Sequence, residues 1–214
     1  MTSSWKPAEQ PDIFSFDAAS ETEIQTVLAK YPQARKASAV MPLLYIAQRQ
    51  MGRMTGSAWI PLVAMDEIAH RLEMAPIRVY EVASFYTMFN TQPIGRYHLQ
   101  VCTTTPCWLR GSDDVTQACK KATGINSFGE TSHDGLFTLT QVECLGACSN
   151  APILQVDDDF YEDMDATSTE ALIAALRDGT RPPAGPAINR NGSAPEGGRK
   201  TLLETADPAP SVTQ

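Results

Sequence analysis

Tyr97-His98-Leu99-Gln100-Val101-Cys102-Thr103-Thr104-Thr105-Pro106-Cys107 is the stretch on which the fold turns. Its first six residues alternate apolar and polar, the period of a strand. That strand runs directly into a C-x4-C pair, Cys102 and Cys107. A second stretch has the same design. Gly135-Leu136-Phe137-Thr138-Leu139-Thr140-Gln141-Val142 predicts a strand, and Glu143-Cys144-Leu145-Gly146-Ala147-Cys148-Ser149-Asn150-Ala151-Pro152 follows it with a C-x3-C pair. Thirty-six residues separate the two pairs. If the two strands are parallel neighbours, all four sulfurs meet at one edge of one sheet.

Thiolates are soft ligands that select zinc, copper(I) or iron–sulfur clusters. A [2Fe–2S] cluster takes four of them, two on each iron. The residues between the cysteines suit a negatively charged centre: Thr103, Thr104 and Thr105 offer N–H and hydroxyl donors, and Gly146 lets backbone approach sulfur. Pro106 and Pro152 stiffen the two loops. A four-cysteine zinc site remains open on these spacings, as do unliganded or disulfide-bonded cysteines. The long gap between the pairs favours iron–sulfur over zinc. No C-x-x-C is present for thioredoxin-type redox chemistry, and the plant-ferredoxin C-x2-C is missing. A Rieske centre needs two histidines, and neither motif holds one. The fifth cysteine, Cys119, falls inside a predicted helix and is expected to be a small buried hydrophobe.

Working outward, a helix is predicted from about Ser112 to Ala122, strands at 152–156 and 160–161, and a last helix capped by Ser168 or Thr169 and ended by Gly179. This β-α-β-β-α order predicts a mixed sheet with helices packed on it. Upstream, the pattern is helical. One helix opens at Ser20-Glu21-Thr22-Glu23 and stops at Tyr31-Pro32; a second runs from about Ala37 to Met51 with Gly52 as its cap. A third follows Gly56-Ser57 with Ile60, Val63, Ala64, Ile68 and Leu72 as its stripe, and a fourth opens at Pro76 and carries Ile77, Val79, Val82, Phe85 and Tyr86. Phe85, Tyr86 and Phe89 are candidates for a partner contact or for core. The fold class expected is α+β, with four segments: an irregular arm at 1–18, a helical domain at 19–92, a cluster-bearing domain at 93–180, and a Pro/Gly-rich tail at 181–214 expected as linker or disordered chain.

A net charge of −8 with no basic stripe argues against a nucleic-acid partner. No apolar run is long enough to span a bilayer, and the acidic N-terminal stretch is unlike a signal or transit peptide. No G-x-G-x-x-G or G-x-x-x-x-G-K-[ST] is present, so nucleotide binding is not expected in this chain. His70, His98 and His133 are expected to be polar surface residues, and Asp157-Asp158-Asp159 with Glu162, Asp163 and Asp165 a solvated turn.

CTTTPC at 102–107 and ECLGACSNAP at 143–152 together resemble the 24 kDa-type iron–sulfur subunit of respiratory NADH:quinone oxidoreductase, complex I. KYPQARKASAVMPLLYIAQRQMG and VYEVASFYTMFNTQPIGRYHLQVC in the helical part are similar to the same family, and the resemblance spans about residues 14–180. It implies a thioredoxin-like domain after a helical one, and one [2Fe–2S] cluster held by Cys102, Cys107, Cys144 and Cys148. It further implies a partner subunit that binds flavin (FMN), NADH and further iron–sulfur, other peripheral-arm subunits, and a peripheral place on the cytoplasmic side of a bacterial inner membrane. NADH oxidation would lie in the partner, so no catalytic residue is expected here. Related subunits serve soluble NAD-dependent formate dehydrogenases and hydrogenases, and a zinc-stabilised scaffold is the remaining alternative.

Overall fold

In the computed structural model, residues 9–198 and 200–201 are described. The first eight residues of the expected arm and the expected tail from 202 onward lie outside the described residues. The chain forms two compact units: residues up to Tyr97 together with His133–Thr138, and residues 98–132 together with those from Leu139 onward. The fold class is α+β.

The first unit is built on α1 (Ala18–Leu28), a 3-10 segment (Gln33–Ala39), α2 (Val40–Thr55), α3 (Leu62–Leu72) and α4 (Pro76–Phe85). Asp17, three residues before the expected start at Ser20, caps α1: its carboxylate accepts the Ser20 N–H at 2.7 Å. Ser20 is buried within the helix instead. The core is one cluster that includes Ile24, Leu43, Leu44, Ala47, Ile68, Leu72 and Val79. Each of its Leu, Ile and Val side chains contributes about 1.5–3 kcal/mol by leaving water. Gln50 is almost fully buried and spends both ends of its amide on the arm, accepting from Asp17 N–H at 2.9 Å and donating to Ser15 O at 2.8 Å. Arg71 forks onto the Glu21 carboxylate, reaches Glu67 at 2.6 Å and stacks 4.8 Å over the Phe16 ring.

Two of these helices differ from the sequence expectation. Gly52 does not end α2. It lies inside the helix, where a Cβ would stand 3.1 Å from Ala58 Cβ, so it is a point of close approach. The cap is Gly56, at φ +78. On α4 only Val79 and Ala83 are buried; Ile77 and Phe85 face outward, and Phe89 has joined the core. A single apolar stripe does not account for both faces of a helix this apolar.

A six-stranded sheet runs in the order β2 (Glu130–Thr131), β3 (Phe137–Val142), β1 (Tyr97–Cys102), β4 (Leu154–Val156), β5 (Asp159–Glu162) and β6 (Gly185–Pro186). The β1–β4 and β4–β5 pairs are antiparallel, and β5–β6 is parallel. Contacts along β1 and β3 and their flanks ascend together, Tyr97 with Leu136 just before β3, His98 with Thr140, and Thr103 just after β1 with Gln141, the sense of a parallel pair. Both strands therefore end on the same side. Helices α6 (Ser112–Thr123) and α7 (Ala166–Arg177) pack on one another. Asp165, not Ser168 or Thr169, is the N-cap of α7, in a reciprocal box with Ser168.

Three further expectations are corrected. His98 is buried, with Nε2 2.8 Å from Thr140 Oγ1, because its place in a central strand leaves no face to solvent. Burial holds its pKa down at about 4. The acidic turn is not simply solvated: Arg181 pairs with Asp157 and, at 2.6 Å, with Asp159, and Arg190 pairs with Asp163. Those arginines lie in the segment expected as linker, which instead forms β6 and folds back on β5. His70 and His133 are exposed as expected.

Candidate metal centre

Cys102 is the last residue of β1, and its N–H donates to Ile153 O at 3.2 Å, which ties the strand end to the segment entering β4. The chain then turns into α5 (Thr105–Leu109), a short helix that the sequence pattern did not signal. Pro106 sits in its first turn, where its missing N–H costs nothing. Cys107 follows on this helix and is buried. The two sulfurs of this pair form an inner cluster with Ala151 and Ile153, flanked by Leu145, Ala147 and Phe160.

The second pair lies in the loop beyond β3. Gly146, at φ +84, lets the loop reverse, and Cys148 opens a 3-10 turn, Cys148–Asn150. Cys144 and Cys148 are exposed, and their sulfurs stand 3.5 Å apart. That is far beyond a disulfide bond and close to the roughly 3.8 Å between two sulfurs on one tetrahedral metal. All five cysteines are free thiols. Among the described residues no group of three or more His, Cys, Asp or Glu side chains is already placed to hold a metal ion. The two cysteine pairs nonetheless lie close enough to act on one another, Cys102 on Cys144 and Cys148 on Cys107.

Backbone and hydroxyl donors surround the sulfurs. Burial opposes ionisation of Cys102, yet the Thr104 hydroxyl, 3.2 Å away, and the backbone N–H groups of Leu145 and Thr104 hold it below the ordinary thiol range. Burial, with the neighbouring Cys102 sulfur, pushes Cys107 up to about 12. The Gly146 N–H, the Cys148 thiol and the Thr104 hydroxyl lower Cys144, and Cys144 in turn raises Cys148. Thr104 thus touches a sulfur of each pair. Within each pair the surroundings favour ionisation of one thiol, Cys102 or Cys144, and oppose it in the other, Cys107 or Cys148. The donors that steady those thiolates also suit the sulfur atoms of a negatively charged cluster. Of the threonines offered by sequence, Thr104 fills that role, while Thr103 accepts from Gln141 at 2.6 Å. The N–H groups of Leu145 and Ile153 were not legible, because no residue type marks a backbone donor. Cys119 is fully buried in α6, and burial raises its thiol to about 12, in keeping with a packing role.

A sheet whose parallel inner strands deliver two cysteine pairs to one rim defines an electron-carrying iron–sulfur domain. Residues 24–177 match the thioredoxin-like [2Fe–2S] ferredoxin family, and the chain belongs to it; the family's centre is one [2Fe–2S] cluster. The chain is 50% identical over 164 residues to the E subunit of the NADH-quinone oxidoreductase of Rickettsia bellii (strain RML369-C), covering 77% of this chain and 95% of that one. It is 47% identical over 191 residues to the mitochondrial NADH dehydrogenase [ubiquinone] flavoprotein 2 of Dictyostelium discoideum, covering 89% of this chain and 75% of that one. Among solved structures, an NAD+-reducing [NiFe]-hydrogenase in its air-oxidized state superposes with a TM-score of 0.54 at 19% identity. That likeness covers 66% of this chain but only 23% of the hydrogenase chain, and it shows the fold. No helix among the described residues is long and apolar enough to cross a membrane.

Proposed function

We propose that this chain is the electron-transfer subunit of the NADH-oxidising module of a respiratory NADH:quinone oxidoreductase, with Cys102, Cys107, Cys144 and Cys148 as the ligands of its cluster. The observation that carries the reading is the convergence of two free cysteine pairs, one buried and one exposed, with donors aimed at their sulfurs. When bound, the cluster supplies one-electron storage. The chain's own residues set how it does so. Cys107 and Cys102 hold the inner side in apolar surroundings, and Thr104, Leu145, Gly146 and Ile153 offset negative charge on sulfur. The exposed pair faces outward, where an electron donor or acceptor can approach.

The partner in this reading is a subunit that binds flavin, NADH and further iron–sulfur, and the assembly sits at the cytoplasmic face of a bacterial inner membrane. Its support is the identity with the Rickettsia bellii oxidoreductase subunit over nearly the whole of that relative. Iron and acid-labile sulfide analysis with spectroscopy of the reduced protein tests the site. The chain is expected to carry two irons and two sulfides and a one-electron-reduced paramagnetic signal, as a [2Fe–2S] centre requires. Replacing any of Cys102, Cys107, Cys144 or Cys148 by Ala should abolish that signal, and Cys119→Ala should keep it. A colourless chain with one zinc would overturn the reading.

A further inference from the structure

The match to the iron–sulfur family ends at residue 177, but the fold does not. Beyond α7 the chain returns to the cysteine-bearing rim. Gly185–Pro186 pairs in parallel with β5, and the Ala187 N–H donates to Glu162 O at 2.8 Å. Arg190 follows. Its Nε donates to Asp163 Oδ2 at 2.8 Å, its Nη2 bonds Asp163 Oδ1, and Nη2 also reaches Ser149 O at 3.2 Å. Neither partner of this ion pair has much access to water: the Arg190 and Asp163 side chains are 11% and 4% exposed. Two residues later Gly192 O accepts from Asn150 Nδ2 at 3.0 Å.

Ser149 and Asn150 are the two residues that follow Cys148 in its 3-10 turn. Asn150 is itself almost fully buried, and its carbonyl accepts the Asp163 N–H at 2.7 Å. The turn that carries the outer cysteine is therefore gripped from two sides, by Asp163 within the family's span and by Arg190 and Gly192 beyond it. We propose that residues 185–194 form a strap that retains the [2Fe–2S] cluster by fixing the Cys148 turn, with Arg190 as its positioning residue. The inference rests on the assignment of Cys148 as a ligand. Cys144 and Cys148 are the exposed pair, so loss of the cluster begins where this turn opens. A bidentate guanidinium–carboxylate pair suits the task because its fork fixes direction as well as distance.

The test is iron release from the reconstituted full chain to a ferrous chelator, bathophenanthroline disulfonate, followed with the visible circular dichroism of the cluster. Arg190→Met is expected to release iron about tenfold faster, since removing one partner leaves the buried Asp163 charge uncompensated and the turn unheld. Arg190→Lys should fall between the two, keeping the charge and losing the fork. The dichroism of Arg190→Met should differ from that of the parent, because the Cys148 ligand geometry changes. Arg190→Met that releases iron within twofold of the parent, with the parent's dichroism, overturns the proposal. A second measurement needs no variant. Coupling is reciprocal, so a strap that holds the cluster is held by it. Removing the cluster from the unaltered chain should raise hydrogen exchange of the 187–194 amides about tenfold, and unchanged exchange there overturns the strap. Failure of the ligand assignment is separate: it would leave the parent without a cluster, or Cys148→Ala with one.

Discussion

His98 shows how one side chain can carry a pH dependence for its whole unit. It is buried in β1, and its folded pKa lies near 4, against about 6.5 for a free imidazole. The unfolded chain therefore binds the extra proton first as pH falls. The His98 contribution is constant above about pH 6.5, declines as pH drops from there to about 4, and is flat below, a loss of about 3 kcal/mol from this residue. Urea unfolding at stepped pH should show this decline, and His98→Phe should flatten it; a parent chain with no slope in that window would contradict the assignment. Asp157 lies beside it, accepting the His98 N–H at 2.8 Å. Burial raises its carboxyl against the pull of that N–H and of Arg181. Its triple-Asp sequence context suggested a solvated turn. The arginine that changes its role comes from 24 residues downstream, beyond the reach of local pattern.

At the scale of elements, three positions make the packing and capping of the fold measurable. Gly95 precedes β1, and a Cβ there would stand 2.8–2.9 Å from the backbone of Leu136 and Phe137. Backbone cannot yield as a flexible side chain does. Gly95→Ala should destabilise by about 1–3 kcal/mol or more, measured by thermal unfolding, since overpacking has no local relief. On α7, the reciprocal Asp165–Ser168 box satisfies the first helical N–H groups, and Asp165→Ala should cost about 1 kcal/mol. Thr169 Oγ1, buried on the same helix, has no hydrogen-bond partner among the described residues. Thr169→Val should be neutral or stabilising by up to about 1 kcal/mol, because it removes a desolvated hydroxyl at near-constant shape. Strands β1, β3, β4 and β5 and the long helices were legible from period and punctuation, while the two-residue strands β2 and β6 were not. Helix α5 was not, because five residues starting Thr105-Pro106 carry no period of their own.

At the scale of the whole molecule, the cluster and the fold of the second unit are one equilibrium. On the proposed ligand set, four thiolates gather only in the folded chain, so cluster binding is also folding free energy. Stripping the cluster should lower the unfolding midpoint of the β1–β6 unit by about 10 °C or more, read by hydrogen exchange on heating. The α1–α4 amides, whose core contains no cysteine, should keep their protection. Equal loss of protection in both units would show that the cluster's stabilisation is not confined to the residues that hold it.

Sequence by itself determined the candidate donors and their setting: the spacing of four cysteines after two alternating strands, the small and hydroxyl residues between them, and the helical character of what precedes. These are local properties, set by the period of side chains along one segment and by the ligand preferences of sulfur. Only the tertiary structure decided which pair is buried, which backbone N–H groups face sulfur, that His98 is inside, and that Arg190 returns to hold the Cys148 turn. Those facts depend on contacts between residues far apart in the chain, where burial and hydrogen bonding are settled by what packs alongside and not by what comes next in sequence.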